Sequence, residues 1–223
     1  MKIASSEAVS EVVGALMVLM VIVSVAGILY TMSMPVISSG QDNIKFRNAF
    51  FDLFELREKI ERVKSGLEPK SVQKIQLYDY SAEFKNEPVI KIGNKSYTVA
   101  SIRVIGNGWT LTYENGAIIE SGRNERMLSA PNINYNDGKL YLPITILKGN
   151  FSAGGRGELS MFLSLNNSYL LTGNGSIVFY SKNLKAWKDF FDSRGINCTV
   201  TGNGIEIQNV DYYAVVYEVS LNG

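Results

Sequence analysis

Side chains that could do acid–base, nucleophilic or metal chemistry are few in this sequence of 223 residues. It has no histidine, the commonest general base and metal ligand, and its one cysteine, Cys198, cannot form an intrachain disulfide. Its later acids show no spacing typical of a catalytic pair, and surface charge is the simpler interpretation of each: Glu83, Glu87, Glu114, Glu120, Asp189 and Asp192. We therefore expect a protein that is not an enzyme, with no catalytic residue, no cofactor and no metal.

The stretch NINYNDG, residues 132–138, has the alternating asparagines of a calcium loop at Asn132, Asn134 and Asn136. Its glycine comes one place late, and Pro143 stands where such a loop needs a bidentate glutamate. A polar turn before a strand is therefore predicted here.

Two carboxylates stand at the start of a long apolar stretch. Glu7 and Glu11 are four residues apart, so both lie on one face of a helix. Residues 12–34 carry no charge, and as a helix they would extend about 34 Å, slightly more than a bilayer core of roughly 30 Å. Eleven of them are Val, Leu or Ile, which favours insertion by about 3–7 kcal/mol. This predicts a transmembrane helix over residues 8–34 after a short leader or N-terminal segment, 1–7.

The same stretch favours a retained anchor over a cleaved secretory signal. It is longer than the apolar region of such signals, Lys2 is the one lysine before it, and no Ala-x-Ala site follows in YTMSMP, residues 30–35. A buried helix of a soluble protein is the other alternative, but it rarely has so many uncharged apolar residues in sequence. On the residues alone, Glu7 and Glu11 sit at a helix N-terminus, where the macrodipole favours acids.

A second helix is predicted over residues 41–66, after a kink or short break at Pro35 and the Ser-Ser-Gly of residues 38–40. Gly66 is the predicted C-cap. Apolar residues recur at steps of three and four, as in an amphipathic helix: Phe46, Ala49, Phe50, Leu53, Leu56, Ile60 and Val63. This stripe either packs on the protein's own sheet or contacts neighbouring subunits.

Residues 70–223 have the composition of strands and turns. Asn115-Gly116 between apolar runs predicts a type I′ hairpin. NLKAWKDFFDSRG predicts one short helix, with Asn183 as N-cap and Gly195 as C-cap. The fold class expected is α+β: an N-terminal transmembrane helix and a stalk helix, then a mainly antiparallel β domain of about nine or ten strands, built as a sandwich or a rolled sheet.

Five Asn-x-Ser/Thr sequons are candidate glycosylation sites, where chance would give roughly two or three. They are Asn94, Asn150, Asn166, Asn174 and Asn197. A glycosylated external domain is consistent with this excess. The net charge of +1 gives no reason to expect a nucleic-acid partner.

The N-terminal stretch AVSEVVGALMVLMVIV resembles the start of archaeal type IV pilin-like proteins, which often have Ala-Val-Ser-Pro-Val-Ile-Gly before an apolar helix. Ala8, Val9, Ser10, Val12 and Gly14 match, and Glu11 replaces the proline. The resemblance implies that a peptidase cuts before a retained helix, and that a glutamate at mature position five compensates a neighbouring subunit's new amino terminus. Cleavage after Ser6 would make Glu7 residue one and Glu11 residue five. The Ser5-Ser6 pair departs from the usual basic residue followed by Gly or Ala.

A second resemblance lies in TYENGAIIESG, MLSAPNI and LYLPITIL. These segments are similar to a family of uncharacterised archaeal membrane-anchored pilin-like proteins, which combine an Ala-Val-Ser helix with a Tyr-Glu-Asn-Gly-Ala hairpin. That family implies no catalytic residue.

Two functions follow as hypotheses. The first is a pilin-like structural or assembly protein of the cell surface: the membrane and like subunits are its partners, Gly14 and Gly27 permit close helix approach, and Glu11 compensates charge. The second is a single-pass surface protein that does not polymerise and binds a solute, glycan or envelope component, through exposed aromatics such as Trp109, Tyr135, Trp187 and Tyr212. Counting positive charges favours a cytoplasmic C-terminal domain, whereas the resemblance implies an extracellular one, which we expect.

Overall fold

The structure of the protein, a computed structural model, describes residues 4–122 and 124–222, without the side chains of residues 4–12 and 35–37. The described residues form two helices and twelve strands. The helices are α1 (Ala4–Lys64) and α2 (Leu184–Ser193). The strands are β1 (Lys70–Lys85), β2 (Val89–Ile92), β3 (Lys95–Thr98), β4 (Ser101–Gly106), β5 (Trp109–Glu114), β6 (Ala117–Ser121), β7 (Arg126–Ser129), β8 (Asn134–Asn136), β9 (Lys139–Gly149), β10 (Ser152–Tyr180), β11 (Thr199–Thr201) and β12 (Gly204–Asn222).

Helix α1 runs without a break in secondary structure from Ala4 to Lys64. Of the predicted kink or short break at residues 35–40, the break is therefore wrong; the fixed φ of a proline is compatible with a helix, although its missing N–H removes one hydrogen bond. Gly66 follows the helix at φ +75° and donates to the carbonyl of Val63, as predicted for a C-cap glycine. The chain divides into two compact units, Met1–Ile44 and Lys45–Gly223; the second is called the head below.

All twelve strands belong to one sheet, with the main order β7-β6-β5-β4-β1-β10-β12-β9-β8. Every pairing is antiparallel except that of β9 with β12, which is parallel. The predicted α+β class with a mainly antiparallel sheet is confirmed, but the strand number is wrong. Twelve strands are described instead of nine or ten, and one of them, β8, lies within the stretch predicted as a polar turn.

The first core lies between α1 and strands β1, β4 and β5. The apolar stripe of α1 packs on the protein's own sheet, as one of the two interpretations predicted. Its members Ala49, Leu53, Leu56, Ile60 and Val63 have no exposed surface. Phe46 and Phe50 are partly buried against the same cluster. This burial stabilises the head and fixes the end of α1 on the sheet.

The second core surrounds α2, which is confirmed as a short helix. Trp187, Phe190 and Phe191 pack together with Phe179 of β10, with ring centroids 5.0–6.0 Å apart. The helix ends in a Schellman motif: Gly195, at φ +68°, donates to Asp192, and the next N–H donates to Phe191. Asn183 precedes the helix as predicted, but its side chain makes no capping hydrogen bond.

Candidate functional site

The described residues contain one helix that is long and apolar enough to cross a membrane, by length and composition. Residues 13–34 are exposed throughout. Their hydroxyl groups bond within the helix: Ser24 donates to the carbonyl of Met20 at 2.7 Å, Thr31 to that of Ile28 at 2.9 Å and Ser33 to that of Leu29 at 2.7 Å. A polar group that is satisfied internally costs less free energy in hydrocarbon.

The residues predicted for assembly lie in the unit Met1–Ile44: Glu7, Glu11, Gly14 and Gly27. A Cβ added at Gly14 or Gly27 would meet no atom within 4 Å, so both positions leave open surface where another helix can approach. The side chains of Glu7 and Glu11 lie outside the described residues.

In the head, α1 has a second apolar surface facing away from the sheet. Phe51 is 57% exposed and Phe54 39% exposed. Phe50 lies between the buried stripe and this surface, with its ring centroid 5.9 Å from that of Phe51 and 6.2 Å from that of Phe54. The guanidinium of Arg57 lies 5.9 Å from the Phe54 ring centroid. We call Phe51 and Phe54 the outward aromatic pair.

The Tyr-Glu-Asn-Gly-Ala segment forms the predicted type I′ hairpin, because Asn115 (φ 46°) and Gly116 (φ 84°) connect the register pair Glu114 and Ala117. The turn is buried, which the sequence did not indicate. The Asn115 side chain accepts from the N–H of Thr145 at 2.9 Å and donates to the carbonyl of Pro143 at 3.1 Å.

Arg57 of α1 attaches the same turn to the helix. Its Nε donates to the carbonyl of Gly116 at 2.9 Å, and Nη2 donates to that of Ala130 at 3.1 Å. The hairpin therefore ties α1 to the sheet through backbone acceptors, a structural role.

Glu114 of this hairpin is 2% exposed and bonds to the segment that leads into α2 and to α2 itself. Its carboxylate accepts from Ser181 Oγ at 2.7 Å, from Asn183 Nδ2 at 3.4 Å and from the indole N–H of Trp187. Burial raises the pKa of Glu114, while these three donors oppose the rise. The prediction that Glu114 is a surface charge is wrong, and no local pattern indicates its burial, because that burial depends on contacts with residues about 70 positions away in sequence.

Glu114 lines a cleft of about 480 Å³, together with charged residues that include Glu87, Arg103 and Lys182. Glu87 accepts from Arg103 at 2.9 Å and pairs with Lys182 at 2.8 Å, and these cations lower its pKa, Lys182 most. Glu83 likewise pairs with Lys85 at 2.9 Å.

Surface charge is also wrong for Glu120, which is buried at 8% exposure and pairs with Arg126 at 2.7 Å. Asp192 pairs with Lys188, and Asp189 is exposed, as predicted for surface charges. In the part of the chain that the structure describes, no three His, Cys, Asp or Glu residues are grouped so as to hold a metal.

A second cleft, of about 470 Å³, lies between the end of α1 and strands β9, β10 and β12. We call it the tyrosine cleft, after Tyr141, Tyr213 and Tyr217 in its lining. Tyr141 and Tyr213 are register partners on parallel strands, and their rings stack with centroids 5.4 Å apart and planes 15° apart. Of the aromatics proposed from sequence for binding, Trp109 and Trp187 are buried, and none lines this cleft.

The model of a protein family of unknown function, DUF7289, matches residues 7–222. The chain belongs to the DUF7289 family. The match begins in α1 and ends in β12, so the apolar stretch and the head are covered by one family model.

The DUF7289 chain is also similar to an uncharacterized protein of Archaeoglobus fulgidus, which is 29% identical over 216 residues, covering 84% of this chain and 82% of the relative. No solved structure matches the chain significantly.

All five sequon asparagines of the DUF7289 chain are exposed. Asn94 lies in the β2–β3 turn, Asn150 between β9 and β10, and Asn197 between α2 and β11. Within β10, Asn166 donates to Ser220 Oγ at 2.5 Å and Asn174 to Asp211 Oδ1 at 2.7 Å. The side chains of Asn94, Asn150 and Asn197 are therefore the more accessible of the five sequon asparagines.

Proposed function

We propose that this chain is a pilin-like, membrane-anchored cell-surface protein whose helix holds a β-rich head outside the cell. The observation that carries this proposal is the contrast within one polypeptide: residues 13–34 expose apolar side chains on every side, while the head has two buried cores of its own. Exposed apolar surface of that extent is unfavourable in water and favourable in a bilayer.

Assembly with like subunits is the more specific part of the proposal. Open surface at Gly14 and Gly27 supports close packing between helices, and the outward aromatic pair offers further apolar surface. Glu11 is assigned the role of compensating a neighbouring subunit's amino terminus, on the strength of its resemblance to pilins alone.

The N-terminus of the native protein tests the pilin-like part. Mass spectrometry of isolated membranes should find a mature chain that begins at Glu7. An intact or Met-trimmed chain would contradict prepilin-type processing and leave a plain signal anchor.

Cysteine labelling tests the position of the head independently. Cys198→Ser removes the native thiol, and Lys95→Cys then places one at an exposed site of the head. A membrane-impermeant maleimide should label this variant in intact cells and leave Cys198→Ser unlabelled. Labelling that requires permeabilised cells would place the head in the cytoplasm. Glycopeptide analysis of the same cells should find glycans on at least one of the exposed sequons.

A second candidate function is a surface protein that binds a ligand and does not polymerise, and the tyrosine cleft is the observation that favours it. Electron microscopy separates the two candidates. Filaments that contain this protein would support the first, whereas an unprocessed monomer in detergent would support the second.

A further inference from the structure

The tyrosine cleft presents aromatic surface on a rigid support. Tyr141 is 43% exposed and Tyr213 is 39% exposed, although they stack on each other. Each is held by the parallel pairing of β9 and β12, toward one end of the sheet. Leu170, 61% exposed, extends the apolar surface on the neighbouring strand β10. The cleft volume of about 470 Å³ lies within the range of about 300–1,000 Å³ found for small-ligand sites.

Polar groups meet this aromatic surface at the end of α1. The Lys64 side chain is 4% exposed; its Nζ bonds Glu61 Oε1 at 2.7 Å and lies 4.9 Å from the Tyr217 ring centroid. Asn132 Nδ2 lies 3.5 Å from Glu61 Oε2. Donors and acceptors therefore lie side by side next to aromatic rings: Lys64 is held by burial, and Glu61 and Asn132 by their hydrogen bonds.

The charge of the cleft narrows the ligand class. Among the residues that line it, Glu61 and Lys64 are the charged ones, and they neutralise each other. A phosphate or acidic peptide would find one cation that is already paired, and a basic ligand would find one paired anion. A neutral ligand with an apolar face and hydrogen-bonding edges fits best, and pyranose rings have this combination: C–H groups on one face and hydroxyl groups around the edge.

We propose that the tyrosine cleft binds a neutral oligosaccharide, with a sugar ring against Tyr213 and Tyr141 and its hydroxyls bonded to Glu61, Lys64 and Asn132. This inference rests on the second candidate function, a surface protein that binds a ligand, and it names the ligand class and the site.

The test uses the full chain in nanodiscs, because many detergents have sugar head groups that would compete for the cleft. Neutral hexasaccharides of glucose, mannose and N-acetylglucosamine are titrated and followed by saturation-transfer NMR. At least one should bind with a Kd below about 1 mM, and sulfated or phosphorylated oligosaccharides of the same length should bind more weakly.

Variants then locate the site. Tyr213→Ala should weaken binding by about tenfold or more, whereas Tyr213→Phe should stay within about threefold of the parent because it keeps the ring. Tyr78→Ala is the matched control: Tyr78 is 42% exposed, lies on β1 and does not line the cleft. Glu61→Gln should weaken binding without unfolding the head, which its circular dichroism spectrum would check.

Three results would overturn the proposal. The first is that no hexasaccharide binds at about 10 mM, and the second is that Tyr78→Ala and Tyr213→Ala weaken binding equally. The third is that the parent binds no sugar and Tyr213→Ala loses self-association. The last result would assign the cleft to a second copy of the chain. Failure of the proposed surface location is a separate outcome, because the maleimide experiment measures it without reference to the cleft.

Discussion

Two stretches of helix α1 carry apolar side chains in opposite surroundings. In residues 13–34, every large apolar side chain is between 46% and 70% exposed. In the head, five members of the stripe have no exposed surface: Ala49, Leu53, Leu56, Ile60 and Val63. Apolar residues surround the helix in the first stretch, whereas one face holds them in the second. The sheet therefore accounts for the buried face of the second stretch, whereas the first stretch has the length and composition of a helix that can cross a membrane.

Two arginines in the middle of residues 13–34 should produce the largest effect of the predicted substitutions, a loss of membrane association. Val21→Arg with Val25→Arg raises the free energy of insertion by about 5–7 kcal/mol, close to the whole gain expected from the apolar residues of the helix. The double variant should leave the membrane fraction of fractionated cells. Glu58→Arg, on the exposed side of α1 in the head, is the control and should remain in it. A double variant that stays in the membrane fraction would show that another part of the chain associates with the membrane.

Replacing one leucine with alanine in each of the two stretches should change the free energy of unfolding by very different amounts. Leu56→Ala leaves a cavity between α1 and the sheet and should lower the free energy of unfolding of the head by about 2–5 kcal/mol. Leu29→Ala, at a side chain that is 63% exposed, should change it by less than about 0.5 kcal/mol. Denaturant titration of the full-length variants in one detergent, followed by near-UV circular dichroism, measures both. Equal losses would mean that residues 13–34 contribute to the stability of the head.

Sequence patterns predicted helices and turns correctly where the signal lies in neighbouring residues. The three- and four-residue spacing marked the stripe of α1, and Asn115-Gly116 marked a turn that needs two positive φ angles. What the patterns missed depends on partners distant in sequence. Glu114 and Asn115 are polar residues beside a turn, and their burial results from contacts with Trp187 and with Thr145. The tyrosine cleft likewise exists because β9 pairs in parallel with β12, which no local pattern encodes.

Helix α2 extends the comparison, because the buried carboxyl group of Glu114 helps to hold it, whereas α1 relies on an apolar stripe. Glu114→Gln replaces one acceptor oxygen with an amide donor, so a buried donor among Ser181, Asn183 and Trp187 loses its partner. The free energy of unfolding should fall by about 1–3 kcal/mol near pH 4.5. Thermal and denaturant unfolding of parent and variant measure this loss.

The parent and Glu114→Gln should also differ in how their free energy of unfolding depends on pH. Burial raises the pKa of Glu114 in the folded state above its ordinary value of 4.5, so folding favours the protonated form. This contribution to stability is fully present below pH 4.5 and is lost as the pH rises through the folded-state pKa. The stability advantage of the parent over Glu114→Gln should therefore shrink between pH 4.5 and 8. An advantage that grows with pH would mean that the three donors outweigh burial and that the carboxylate is the preferred form.

The smallest effect on stability is expected at the outward aromatic pair, where α1 combines the two patterns: one face packed on the sheet and one apolar surface exposed. Phe51→Ala should change the free energy of unfolding of the head by less than about 0.5 kcal/mol, because the side chain is 57% exposed. If this surface serves assembly, the same variant should still reduce the amount of oligomer or filament recovered from membranes. Phe50→Ala is the matched control, since Phe50 is partly buried against the first core and its loss should destabilise the head itself. A Phe51→Ala variant that assembles as well as the parent would limit assembly contacts to the apolar helix of residues 13–34.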